Sequence, residues 1–160
     1  MTLLNVIRRI EAVAGNQPAV GSIVRDNIFL LNERPDVRYG SFAWVQGQHS
    51  ETMENDMRTY RFTFFYIDRL LQGGSNALEV QSVGMDTLGN IMRTLAEDFD
   101  VTEWSVDPFT QRFADECAGA YCSVTLRALR GGCFEEFPEG SEGGDSDDML
   151  TTGNEIQILQ

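Results

Sequence analysis

The chain has 160 residues and a formal net charge of −13, and all 12 of its basic residues are arginines. This length predicts a single domain whose core needs neither disulfides nor a structural metal. The charge is unevenly divided, because residues 131–160 carry eight acids and no arginine, which leaves −5 on residues 1–130. This balance argues against a surface that grips nucleic acid, since such a surface needs clustered basic side chains.

Cysteine and histidine are scarce. Cys117, Cys122 and Cys133 lack CxxC spacing, and His49 is the only histidine. A metal site is therefore not expected. The cysteines are instead expected to be reduced, buried thiols in a cytoplasmic environment. The first 15 residues place arginines inside a short apolar pattern, which is typical of neither a signal peptide nor a membrane span.

The first predicted element is a helix that Thr2 caps and Gly15 ends, with apolar residues at three- and four-residue steps. Residues 16–40 give mixed signals, with `SIVRDNIFLL` compatible with a short helix or a strand. `SFAWVQG`, residues 41–47, predicts a strand, and the polar residues after it predict a loop or a long hairpin connection.

The stretch `RFTFFYIDRLLQGGSN`, residues 61–76, raises the choice between a base-stacking platform and a core strand. Its alternation places Tyr60, Phe62, Phe64 and Tyr66 on one face. The other face, which includes Phe65 and Ile67, is also largely apolar. This pattern favours a central strand covered on both sides, because a stacking sheet needs a basic, glycine-rich motif that is missing here.

A long helix is predicted from about Ala77 to Phe99, beginning with a capping box formed by Asn76 and Glu79. An apolar stripe predicts its buried face, and Gly84 within the stripe indicates either a kink or close packing. The stripe consists of Val80, Gly84, Leu88, Ile91, Met92, Leu95 and Phe99.

Two further strands are predicted. The first, `VTEWSVDPFTQRF`, is expected to be interrupted near Pro108. The second, `GAYCSVTLRAL`, alternates cleanly, and its face with Tyr121, Ser123, Thr125 and Arg127 is either solvated or in contact with a neighbouring subunit. The fold class is therefore α+β, with an antiparallel sheet of about four strands and helices packed on one face.

Residues 131–160 are rich in glycine and acids and are predicted to form a flexible acidic tail outside the domain of residues 1–130. The last six residues form a β-prone segment that could add to the edge of a sheet, in its own subunit or in another. This docking arm consists of Glu155, Ile156, Gln157, Ile158, Leu159 and Gln160.

No catalytic constellation emerges from the residues. His49 beside Ser50 and Glu51 is a weak candidate for a hydrolytic triad, and no glycine loop for nucleotides follows a strand. `DSDD`, residues 145–148, lacks the register of a calcium loop. The carboxylates of Asp115 and Glu116 either face water or pair with arginines of an adjacent subunit. The sequence predicts no enzyme and no cofactor.

At `YRFTFFYIDRLLQGGSNALEVQSVGMDTLGNIM` and `DPFTQRFADECAGAYCSVTLRA` the chain resembles tail-completion or tail-terminator proteins of tailed bacteriophages, including those of gut Bacteroidales phages related to the crAss-like group. The resemblance covers about residues 39–130. It implies a virion protein, made in the host cytoplasm, that forms a homo-oligomeric ring at the head-to-tail joint. Its neighbours would be portal, neck or tail proteins, without a membrane, and double-stranded DNA would pass through without sequence-specific binding.

An acidic protein suits such a channel because it repels DNA and keeps it mobile. The arginines are then available to pair with acids across subunit joints. The candidate interface residues are Arg61, Asp68, Arg69, Asp115, Glu116 and Arg127. The alternative is an assembly factor or adaptor that binds a partner through the acidic tail without remaining in the virion.

Overall fold

The computed structural model describes residues 1–25, 39–51, 56–110 and 117–129, and these form an α+β fold. The elements in chain order are α1 (Leu3–Gly15), β1 (Ser22–Val24), β2 (Ser41–Gln46), β3 (Ser50–Glu51), β4 (Met57–Arg69), a 3-10 turn (Gln72–Gly74), α2 (Ala77–Asp98), β5 (Asp100–Thr110) and β6 (Cys117–Leu129). The predicted tail, residues 131–160, lies outside the described residues.

The strands form one mixed sheet in the order β1-β2-β4-β6-β5, with β3 also paired to β4. The prediction of a purely antiparallel sheet of about four strands is wrong, because β1 runs parallel to β2. The remaining pairs are antiparallel, including the 13-residue pairing of β4 with β6. The α+β class itself is confirmed.

One face of the sheet carries the main core. The even-numbered aromatic residues of β4 and the apolar residues of β6 pack with buried residues of both helices, among them Ile10 of α1 and Leu88 of α2. The predicted α2 stripe is buried from Val80 to Phe99. Thr2 caps α1 as predicted, since its Oγ1 accepts a hydrogen bond from the Asn5 amide at 3.3 Å.

Gly84 lets α2 approach the sheet closely. A Cβ at this position would lie 3.0 Å from Cδ1 of Tyr66 and 3.1 Å from the amide nitrogen of Ala120. The helix continues unbroken through this residue. Of the two predicted roles of Gly84, close packing is therefore confirmed.

Two local predictions need correction. Asn76 forms no side-chain cap on α2, because its amide is used elsewhere: Oδ1 accepts from the Leu71 amide at 2.7 Å and Nδ2 donates to the Arg69 carbonyl at 3.2 Å. Pro108 does not interrupt β5; the strand lies at the sheet edge, where a missing N–H is tolerated. Of the two alternatives predicted for the residues after β2, the long hairpin connection is confirmed, since β2 and β3 both pair antiparallel with β4.

Candidate functional site

The second face of the sheet carries side chains in rows that run across β4, β6 and β5. Cross-strand pairing places Ile67 opposite Gly119 and Phe109, and Thr63 opposite Ser123 and Ser105. Both helices pack on the first face. We call the second face the open face, because no described helix covers it.

One end of the open face is apolar. Val24, Ala43, Ile67, Phe109 and Cys117 form a small buried cluster there. Tyr39, Phe65 and Tyr121 pack against it and remain partly exposed. The prediction that β4 is central is confirmed, but its coverage on both sides holds only at this end, since Arg61 at the other end is exposed.

The other end of the open face is polar. After the hydroxyl row comes a row in which Arg61 and Glu103 flank Thr125, and then a row in which Arg127 pairs with Asp100. The Arg127–Asp100 ion pair joins Nη1 to Oδ2 at 3.3 Å, with both side chains about half exposed. An open groove of about 830 Å³ lies over this end; its polar lining includes Arg61, Thr63, Glu103, Ser105 and Ser123.

Two irregularities of strand pairing, here called bulges, flank this groove, and Gly47 and Thr102 of these segments line it. On one side, Gln46 pairs with Phe62 and Ser50 with Thr59, so the three residues 47–49 oppose only two of β4. On the other side, the β5 register shifts between Val101 and Glu103, which leaves Thr102 as the extra residue. Bulges bend a strand and increase its twist, and both lie at the level of the Arg61–Thr125 pair.

The first bulge also positions Arg61. The Gly47 amide donates to the Arg61 carbonyl at 2.8 Å, and the Arg61 amide donates to Nδ1 of His49 at 3.3 Å. Nη1 of Arg61 donates to the Gln48 carbonyl at 3.4 Å. A Cβ on Gly47 would lie 3.1 Å from the Cβ of Arg61, so glycine allows this approach.

His49 serves the fold at this site. Its ring packs against Tyr60 and Phe62, which belong to the helix-bearing face. Burial lowers the pKa of His49 below its usual value, which favours the neutral ring that accepts the Arg61 amide. The ring therefore lies away from the groove hydroxyls and is badly placed to act as their base.

The predicted interface residues separate into two groups. Arg61 and Arg127 lie together at the polar end of the open face. Arg69 lies eight residues along β4 from Arg61, about 27 Å away at ordinary strand rise. There its guanidinium stacks 4.3 Å from the Tyr39 ring centroid and donates to the Tyr39 hydroxyl at 3.2 Å.

Asp68 is adjacent to Arg69, and its Oδ1 accepts a hydrogen bond from the Arg69 amide at 2.7 Å. Asp115 and Glu116 lie outside the described residues. So do the six residues of the docking arm.

Two further polar sites had no clear sequence signal. Glu11, nearly buried on α1, accepts two hydrogen bonds from Arg25, at 2.7 and 2.6 Å, and one from Nε1 of Trp44 at 3.2 Å. Arg9 of α1 pairs with Asp98 of α2 at 2.6 Å. The sequence pattern places Glu11 on the apolar side of α1, but it does not identify the residues that bind its carboxylate.

The described residues contain no group of three or more side chains suited to holding a metal ion. Cys122 is buried, and burial raises the pKa of its thiol to about 12. None of the helices in the described ranges is long and apolar enough to cross a membrane. The polar end of the open face offers hydroxyls and two opposite charges, which suit hydrogen bonding and ion pairing with another surface.

Comparison with known proteins adds no assignment to this geometry. No protein-family profile matches the chain, and a search of curated proteins finds no match either.

Proposed function

We propose that the protein is a structural subunit of an oligomeric ring at the head-to-tail joint of a tailed bacteriophage, of the tail-completion or tail-terminator type. The observation that carries this proposal is the open face, where Arg61 and Glu103 face the same groove. Within the described part of the chain, neither side chain makes an ion pair.

The separation of these two charges explains why they are available. Thr125 stands between them in the row, so they are two strand spacings apart, about 9.6 Å. At that distance they interact weakly with each other through water. A neighbouring subunit with charges of the opposite order would pair with both and remove them from water together.

The shape of the contact follows from ring symmetry. In a ring, one surface of each copy meets a different surface of the next copy, and a fixed rotation closes the assembly. The open face supplies one such surface. Its apolar end adds the partly exposed rings of Phe65 and Tyr121, which gain from burial, while the polar end sets the register.

Charge supports the passage of DNA through the ring. The chain carries −13 overall, so a channel built from it repels the phosphate backbone and leaves the duplex mobile. The finer features expected of the protein, namely virion location, portal or tail-tube neighbours and a docking arm, belong to this same proposal.

The direct test is the mass of the purified full-length protein by native mass spectrometry, combined with electron microscopy. We expect a closed multimer for the unmodified protein and smaller species for Arg61→Glu. Arg8→Glu is the matched control, because it makes the same charge change at an exposed position of α1.

A protein that stays monomeric at high concentration, also with its genomic neighbours present, would refute the ring. It would favour the adaptor alternative, in which the eight acids of residues 131–160 contact a partner. Proteomics of purified virions tests the adaptor alternative directly, since an assembly factor is absent from the particle.

A further inference from the structure

The outer edge of β5 is a second surface with specific features. β5 pairs with β6 along its inner edge from Asp100 to Thr110. Among the described strands none pairs with its outer edge, since β5 ends the sheet order. An unpaired edge presents a row of backbone N–H and C=O groups that can accept another strand.

Two irregularities limit where a strand can add. The bulge at Thr102 distorts the ladder at one end. At the other end, Pro108 has no N–H, and a proline in a paired strand turns its nitrogen toward the free edge. Regular edge geometry therefore extends from Glu103 to Asp107, which is five residues.

The helix-bearing side of this edge is apolar. Trp104 is 47% exposed, and Val106 packs on the edge of the main core while remaining partly exposed. Gln81 of α2 donates to the Phe109 carbonyl and the Thr110 hydroxyl, so α2 lies beside this strand. Met85, one turn after Gln81, is 40% exposed. A strand added here would cover these side chains.

We propose that residues 155–160, `EIQILQ`, of the same chain add to the outer edge of β5 as an extra strand. Ile156 and Ile158 would lie on the helix-bearing side, over Trp104 and Val106, and Gln157 would lie on the other side near Ser105. The segment is six residues long, which matches the five regular residues of the edge.

The low number of acidic residues distinguishes `EIQILQ` from the rest of residues 131–160. Glu103 and Asp107 project from the edge strand, and like charges on adjacent strands repel. The earlier part of the segment carries seven acids and would meet this repulsion repeatedly. `EIQILQ` carries one acid, at its first position, and would meet this repulsion only once; its other residues are three apolar side chains and two glutamines.

The connection is long enough for the same chain to reach. β6 ends at Leu129, and β5 is its immediate neighbour, about 4.8 Å away. Residues 130–154 supply 25 residues between β6 and this segment, and a chain of that length can reach at most about 80 Å.

Hydrogen exchange on the full chain tests strand addition, with Ile156→Asp/Ile158→Asp as the variant. We expect peptides covering residues 103–107 to exchange about tenfold faster in this variant, with β4 unchanged. Thr151→Asp/Thr152→Asp adds the same charge just before `EIQILQ` in the sequence and should behave as wild type. Equal exchange in all three proteins, or equal acceleration in both variants, would overturn the proposal.

Crosslinking tests whether the strand comes from the same chain. In a Cys122→Ala/Cys133→Ser background, chosen because Cys122 lies directly opposite Val106 on β6, Val106→Cys is combined with Ile156→Cys or Ile158→Cys, and oxidation should give a crosslinked monomer. The control replaces Val106→Cys with Leu4→Cys, an exposed site on α1 beside the opposite edge of the sheet. Dimer bands, no crosslink, or equal yield in the control would overturn the same-chain assignment.

The inference specifies where the docking arm of the proposed function binds, and it does not depend on ring formation. Hydrogen exchange and crosslinking both report on a single polypeptide, so their outcomes do not depend on whether the protein assembles into a ring.

Discussion

Replacing Gly89 of α2 by alanine should stabilise the protein more than replacing Gly84 of the same helix. Gly84 lies against the sheet, where a new Cβ would sit 3.0 Å from the Tyr66 ring and 3.1 Å from the backbone nitrogen of Ala120. Gly89 lies on the same helix, and a Cβ there would meet only Nη2 of Arg93, at 3.8 Å. The two sites therefore differ in the space around the added methyl group.

The magnitudes follow from two opposing terms. Glycine to alanine within a helix stabilises by about 1 kcal/mol, and this gain applies at both positions. Overpacking a core costs about 1–3 kcal/mol, and this cost applies only to Gly84, because a backbone atom of β6 cannot move aside as a flexible side chain can. Gly89→Ala should therefore raise the free energy of unfolding by about 1 kcal/mol. Gly84→Ala should lie about 1–3 kcal/mol below Gly89→Ala.

The assay is equilibrium denaturation in urea. The free energies of unfolding of both variants and the wild type are compared after checking that their m-values agree. Thermal unfolding gives a second measure, with a shift of about 2–4 °C per kcal/mol for a chain of this size. If Gly84→Ala is as stable as Gly89→Ala, the close approach of α2 to the sheet is not what holds glycine at position 84.

Three further outcomes are expected. In a double-mutant cycle, Glu11→Gln and Arg25→Ala should show a coupling of about 0.5–1 kcal/mol, measured by urea denaturation, because the Arg25 side chain is 69% exposed; additive effects would contradict the pairing. Because the folded-state pKa of His49 is lowered, its contribution to stability should be complete above the unfolded pKa and be lost as pH falls through the folded value. The difference between wild type and His49→Gln across that range measures it, and a difference independent of pH would be the contrary result. Gly119→Ala should cost at least about 3 kcal/mol, since the new Cβ would lie 1.8 Å from the Tyr66 carbonyl oxygen; near wild-type unfolding would show that β4 and β6 can separate there.

Features set by local periodicity could be predicted from the sequence. The stripe on α2 and the alternation on β4 and β6 each depend on side chains a few residues apart, and the structure buries the predicted faces. Burial follows periodicity closely because a helix or strand that exposed its apolar side would lose the main driving force for folding.

Features set by distant partners could not be predicted in the same way. β1 has only three residues, and its parallel pairing with β2 depends on residues 19 positions further along the chain. Asn76 carries a valid capping signal, but its amide instead bridges Leu71 and Arg69. Side-chain amides bond whichever backbone group is nearest in the folded turn, and the sequence does not state which one that is.

The candidate site depends on both kinds of information. Alternation along β4 and β6 assigns Arg61, Thr125 and Arg127 to one face, and this could be predicted. The groove that Arg61 and Thr125 line is flanked by one extra residue on each side, at residues 47–49 and at Thr102, and alternation does not reveal these. Without the second bulge, every β5 residue before it would move to the opposite face. Asp100 would then leave Arg127, so the ion pair of the open face exists because the ladder is irregular at that point.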